Sequence, residues 1–230
     1  MVQRWVNAGS PDIPASGACE CITVVYERDR RVLDLGVDVG ITQIESSGAD
    51  ITGDGLAELV VTKHTGGAHC CESTTIYSVA AAATAILSVS TGSCTGQLVD
   101  LDDDGVPEFR TCDDTVAYAF CSFAFSPMPT VVFTYDNARG AYALATPRSV
   151  NAPKQLQESI AAARKAMEQN PGDAGVARCT ALGPSLSLIY AGRVGEGRAL
   201  LRRLYTRPDA RQLERKTMEL VRKSPLWIAR

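Results

Sequence analysis

Apolar and polar positions alternate in short bursts along the first two-thirds of the chain, and then the rhythm changes. Stretches of strand composition fall at residues 21–27, 31–35, 41–45, 59–63, 74–79, 85–90, 108–112, 116–123, 130–135 and 141–145, with turn-forming residues between them. That spacing predicts an antiparallel β domain. Beyond Pro147 the period becomes helical: Leu156, Ile160, Ala163 and Met167 stand at i, i+4, i+7 and i+11, one face of a helix. Asn170-Pro171-Gly172-Asp173 ends that helix and starts a second. Residues 186–205 read as a helical hairpin and 209–223 as a last amphipathic helix. The predicted class is α+β: an irregular leader over 1–17, a β domain over 18–148 and a small helical module over 149–230. The β domain is expected to be a partial propeller-like sheet stack or a sandwich, capped by the helices.

Two acidic loops interrupt the strand pattern. One runs Asp50-Ile51-Thr52-Gly53-Asp54-Gly55-Leu56-Ala57-Glu58, the other Asp100-Leu101-Asp102-Asp103-Asp104-Gly105-Val106-Pro107-Glu108. Both fit D-x-(T/D)-x-D-G-x-x-E, and apolar residues follow each. Carboxylates at every second position converge only if the chain curls around a positive charge; otherwise they repel by several kcal/mol at low effective dielectric. A divalent ion with six to eight oxygen ligands removes that conflict, and calcium suits a flexible all-oxygen loop better than magnesium. Gly55 and Gly105 stand where such a loop turns sharply. An isolated Asp-Gly turn is ordinary surface chemistry. Recurrence of the same pattern fifty residues on favours a bound ion. An EF-hand fits poorly, because its loop is longer and lies between helices.

The pattern D-x-T-G-D-G-x-x-E-L-V-V resembles the FG-GAP (VCBS-type) repeats of integrin α-subunit propellers and of many secreted bacterial proteins. The resemblance covers residues of roughly 40 to 125 and implies two calcium sites. The first would use Asp50, Thr52, Asp54, the Leu56 carbonyl and Glu58; the second Asp100, Asp102, Asp104, the Val106 carbonyl and Glu108. Two such repeats are too few to close a propeller, which needs about four to eight blades. The hairpin over 186–205 resembles one tetratricopeptide unit.

Charge divides unevenly. Residues 1–150 hold 8 Lys/Arg against 19 Asp/Glu, and residues 151–230 hold 15 against 7. The acidic part suits cation binding. The basic part has its charges interleaved with Ala and Leu on helical faces, so it is expected as solvated surface, or as one that docks on the acidic half, rather than a nucleic-acid site. No apolar stretch is long enough to span a bilayer.

Eight cysteines, Cys19, Cys21, Cys70, Cys71, Cys94, Cys112, Cys121 and Cys179, predict a disulfide framework and an oxidising compartment, secreted or periplasmic. Cys112 with Cys121, and Cys94 with Cys70 or Cys71, are expected pairs; Cys179 is expected as a buried thiol or a tie to Cys19 or Cys21. Adjacent Cys70 and Cys71 are expected to have separate partners. Met1-Val2-Gln3-Arg4-Trp5 opens on no apolar signal core, so on this reading a leader has been removed.

His69-Cys70-Cys71 offers soft ligands or a Cys–His pair, but zinc knuckles of the Cys-x2–4-Cys kind are missing from the sequence. Neither a G-x-S-x-G elbow nor a phosphate-cradling glycine loop occurs. The leading expectation is a calcium-binding module that contacts another protein in an adhesion, assembly or inhibitory role. The alternative is a hydrolase on cell-wall or carbohydrate substrate, with calcium as a scaffold ion.

Overall fold

The computed structural model describes residues 2–6, 19–27, 29–68, 70–145 and 153–228. The chain is α+β, with antiparallel strand pairing and four helices near the C-terminus. By contacts it divides into two compact units. One holds Met1–Thr95, Asp103–Pro107 and Tyr135–Ala143; the other holds Gly96–Asp102, Glu108–Thr134 and Leu144–Arg230.

The first unit is built on a six-stranded sheet in sequential order: β1 (Val2–Val6), β2 (Cys19–Glu27), β3 (Arg30–Ala49), β4 (Ala57–His64), β5 (Glu72–Val79) and β6 (Ala83–Gly92). Val2–Val6 is thus a strand within the stretch expected to be irregular, and it pairs with β2 from Val2↔Val25 to Val6↔Cys21. β3 is one strand of 20 residues where two were expected. It stays unbroken because Val37 pairs with Ile22 and Gly40 with Cys19 across the glycine-containing stretch read as a break. β4 lies in the middle of the order, and Leu59, Val60 and Val61 are all buried there, as a strand covered on both faces requires. β5 instead alternates, with Thr74, Ile76 and Ser78 buried. Val25, Val32, Leu59 and Val61 form the apolar cluster, with Tyr77 and Val79 against it. β6 ends the sheet and contains neither charge nor proline.

A second, four-stranded sheet has the order β10 (Ala141–Ala145), β9 (Thr130–Asp136), β8 (Glu108–Cys112), β7 (Gln97–Val99). Neither sheet order closes on itself. Residues 116–123, expected as a strand, form turns that lead into a 3-10 turn at Phe123–Phe125. The Asp113 carboxylate accepts the Thr115 amide at 2.8 Å, which bends the chain away from an extended path.

The helices are α1 (Pro153–Gln169), α2 (Ala174–Tyr190), α3 (Val194–Leu204) and α4 (Ala210–Val221). Asp173 caps α2 by accepting the Val176 amide, where the turn signal placed a restart. The predicted face of α1 holds: Ile160 packs with Leu188 and Leu200, and Leu156 joins them. The loop after β8 is fastened to the helices by a buried carboxylate. Asp113 accepts the Tyr190 phenol at 2.6 Å and the Ser224 hydroxyl. Burial, and then the Asp113 charge, drive the Tyr190 phenol far above its ordinary range.

The α2–α3 crossing is close. A Cβ at Gly197 would stand 2.6 Å from the Ser185 carbonyl and 2.7 Å from Ile189. Gly197→Ala gains about 1 kcal/mol in helix propensity but must displace backbone, at about 1–3 kcal/mol for overpacking. We expect net destabilisation, read as a lower urea midpoint with unchanged slope; a higher midpoint would show that the crossing has slack.

Candidate metal centre

Both acidic loops are hairpin connections built on the same register. The first joins β3 to β4 with Ala49 opposite Glu58; the second joins β7 to β8 with Val99 opposite Glu108. In each, the leading aspartate follows the last strand residue and the closing glutamate is the next strand's paired residue. The likeness continues inward. Glu58 accepts the Ile51 amide at 2.6 Å, and Glu108 accepts the Leu101 amide at 2.8 Å. Asp54 accepts the Leu56 amide at 2.9 Å, and Asp104 the Val106 amide at 2.8 Å. The turns are left-handed at Gly53 (φ 75°) and Gly55 (φ 87°), and at Asp103 (φ 61°) and Gly105 (φ 88°). Asp103 accepts a conformation that costs a side chain energy, one that aspartate tolerates better than most residues.

The closing glutamates are the unusual members. Glu58 is wholly buried, at 0% exposure, and Glu108 nearly so, at 7%. An ionised carboxylate taken out of water needs compensating charge or a full set of hydrogen bonds. Glu58 has the Ile51 and Thr52 amides on Oε2, while Oε1 has no hydrogen-bond partner. Burial, and beyond it the Asp54 and Asp50 charges, push the Glu58 carboxyl above its ordinary value despite those amides. The buried Thr52 hydroxyl also lacks a hydrogen bond of good geometry, although the Tyr135 phenol is near enough to feel it.

The structure gathers the acids differently in the two loops. One carboxylate oxygen each from Asp100, Asp102 and Glu108 lie within 4.8 Å of one another, the one such acidic group found among the described residues. Oxygens at about 2.4 Å from a common calcium ion are at most about 4.8 Å apart, so these three could reach one cation, although exposed carboxylates also gather this closely without one. In the first loop Asp50 is turned onto its own backbone, accepting the Gly53 amide at 2.7 Å and the Gly55 amide at 3.0 Å. Asp54 Oδ2 accepts the Tyr135 phenol at 3.2 Å. Leu56 and Val106 hold equivalent places two residues before the glutamates, both with their amides engaged by the preceding aspartate.

The cysteine pairing differs from expectation. Cys70 and Cys71 bond to each other, so Cys94 takes neither as partner. The positive φ of Cys71, 79°, and the left-handed Gly66 and Gly67 give the backbone freedom for that ring. Cys179 bonds to Cys121 and not to Cys19 or Cys21, so Cys112 has no bond to Cys121 either. Cys94 and Cys112 are both disulfide-bonded, and no cysteine is free among the described residues. The Cys19 and Cys21 side chains and His69 lie outside the described residues. Disulfide formation removes Cys70 and Cys71 as thiolate ligands or nucleophiles.

Sequence reasoning missed Tyr135 beside Asp54, because the two are 81 residues apart and no local signal links them. It missed the buried Asp113 for the same reason. No family model, no curated protein and no solved structure matches this chain. No helix among the described residues is long and apolar enough to cross a membrane.

Proposed function

We propose that the chain is a secreted or periplasmic calcium-binding interaction module. Each acidic hairpin loop holds one Ca2+, the first through Asp50, Thr52, Asp54, the Leu56 carbonyl and Glu58, the second through Asp100, Asp102 and Glu108. The ions brace the hairpins, and the helical module contacts another protein in an adhesion, assembly or inhibitory role. The observation that carries this reading is Glu58: a fully buried carboxylate with one oxygen unpartnered, beside a buried threonine hydroxyl in the same condition. A polar oxygen so placed costs about 1–3 kcal/mol unless something positive meets it. Support comes also from the second loop's convergent carboxylates and from the shared strand register of the two loops. The disulfides favour an oxidising compartment. No observation favours the hydrolase alternative, which is carried no further.

Calorimetric titration of calcium into chelator-stripped protein is the direct test. The expected stoichiometry is two, falling to one in Glu58→Gln and to one in Asp102→Asn. Heats that match dilution alone would end the calcium reading.

A further inference from the structure

The helical module has a groove with more positive charge than its internal ion pairs use. Arg198 and Arg202 from α3, Arg211 and Arg215 from α4 and Arg222 at the C-cap of α4 line an open groove of about 530 Å³. On α4 and its helical C-cap Arg222 the arginines follow i, i+4 and i+11, so they share one stripe. Two carboxylates stand among them. Glu214, nearly buried, is held by Arg198 at 2.5 Å and by Arg202 at 3.0 Å. Glu219 is 3.7 Å from Arg215. Five guanidiniums against two carboxylates leave three positive charges in the groove. Arg211 and Arg222 have no side-chain hydrogen bond or ion pair among the described residues, and both are exposed.

Such a concentration works against the fold. Like charges at i, i+4 destabilise a helix by about 0.2–0.5 kcal/mol a pair, and both Arg198/Arg202 and Arg211/Arg215 have that spacing. The pairs at Glu214 relieve one of these; the α4 stripe has only the long contact to Glu219. An external anion would relieve the rest, and guanidinium forks match carboxylates two bonds at a time.

The geometry points to a docking groove for a carboxylate-rich peptide segment of a partner protein. From Arg211 to Arg222 the stripe advances eleven residues, about 16 Å at 1.5 Å per residue. That exceeds a single small anion and equals about five residues of extended chain. Nucleic acid fits less well. The lining has Met218 but no aromatic side chain on which a base could stack. This inference deepens the interaction reading by naming the partner's chemistry, and it does not depend on calcium.

The test is fluorescence anisotropy with a labelled ten-residue peptide of alternating Glu and Gly, using the full chain at low and at physiological salt. The wild type should bind saturably, and more weakly at higher salt. The double variant Arg211→Glu, Arg222→Glu should bind at least tenfold more weakly. Arg164→Glu, Lys165→Glu, exposed on α1 away from the groove, should change affinity less than twofold. Thermal melting of both variants should stay within about 4 °C of wild type, since changing surface charge pairs at i, i+4 alters stability by about 0.2–0.5 kcal/mol each. Equal losses in the two variants, or no saturable binding, would overturn the groove. Tighter binding of a ten-nucleotide oligothymidine than of the peptide would overturn the partner class, and full competition by millimolar inorganic phosphate would reduce the groove to a small-anion site and overturn it likewise. These results are separable from the calcium reading, because the titration above does not involve α3 or α4.

Discussion

Calcium added to the stripped protein should raise its melting temperature by about 10–20 °C. One site at a hundredfold excess over Kd adds about 2.7 kcal/mol, and each kcal/mol moves a domain of this size by roughly 2–4 °C. The effect should depend on pH with a definite sign. Glu58 is pushed above its ordinary value by burial and by the neighbouring aspartates. In the metal-free fold its protonated form is therefore favoured, and the unfolded chain releases that proton first. Between the unfolded and folded values the native state holds more protons, so the metal-free contribution to stability falls as pH rises through that window. Bound calcium favours the ionised form and reverses the slope. Glu58→Gln should flatten the metal-free slope and remove about half of the calcium-dependent shift. Thermal unfolding at several pH values, with calcium and with chelator, checks this; identical melting with and without calcium at every pH would defeat it.

The second large effect belongs to Cys121–Cys179. Its sequence separation is 58 residues, and closing a loop of that size removes unfolded-state entropy equivalent to about 4 kcal/mol. The bond fastens the loop before β9 to the central helix α2, whose Ala181, Leu182 and Leu186 are fully buried. Cys121→Ser with Cys179→Ala should lower the melting temperature by about 8–16 °C, on the same 2–4 °C per kcal/mol. The paired change of Cys70 and Cys71 to serine closes no long loop and should cost far less by the same entropic argument. Calorimetry of the two double variants decides; equal losses would mean that loop closure is not what this bond contributes.

What could be read from the residues was whatever depends on neighbours in sequence. The α1 face, the Asp173 restart of α2 and the placing of both acidic loops between strands all follow from local period and turn chemistry. Pairing partners were harder. β3 looked like two strands because Gly36 and Gly40 read as punctuation, yet neighbouring strands supply hydrogen bonds across the whole length. The apolar run at 116–123 looked like a strand but has no partner strand, and Asp113 bends its start. β7, three residues long, carries too little pattern to detect. At the site, ligand-like spacing was visible in sequence, whereas the burial of Glu58 and the approach of Tyr135 to Asp54 arise only on folding. Spacing likewise predicted partners for Cys70 and Cys71 elsewhere, and the left-handed backbone at Cys71 defeated it.

The uncharged border of β6 has a practical meaning. Natural sheets guard a terminal strand with lysine, proline or a bulge, since its outward amides and carbonyls can recruit another extended chain. Ala83–Gly92 contains no charged residue and no proline, but its pairing with β5 slips at Ile86 and again at Thr91. Those two slips are what stands between that margin and lateral growth, copy upon copy, when the protein is crowded.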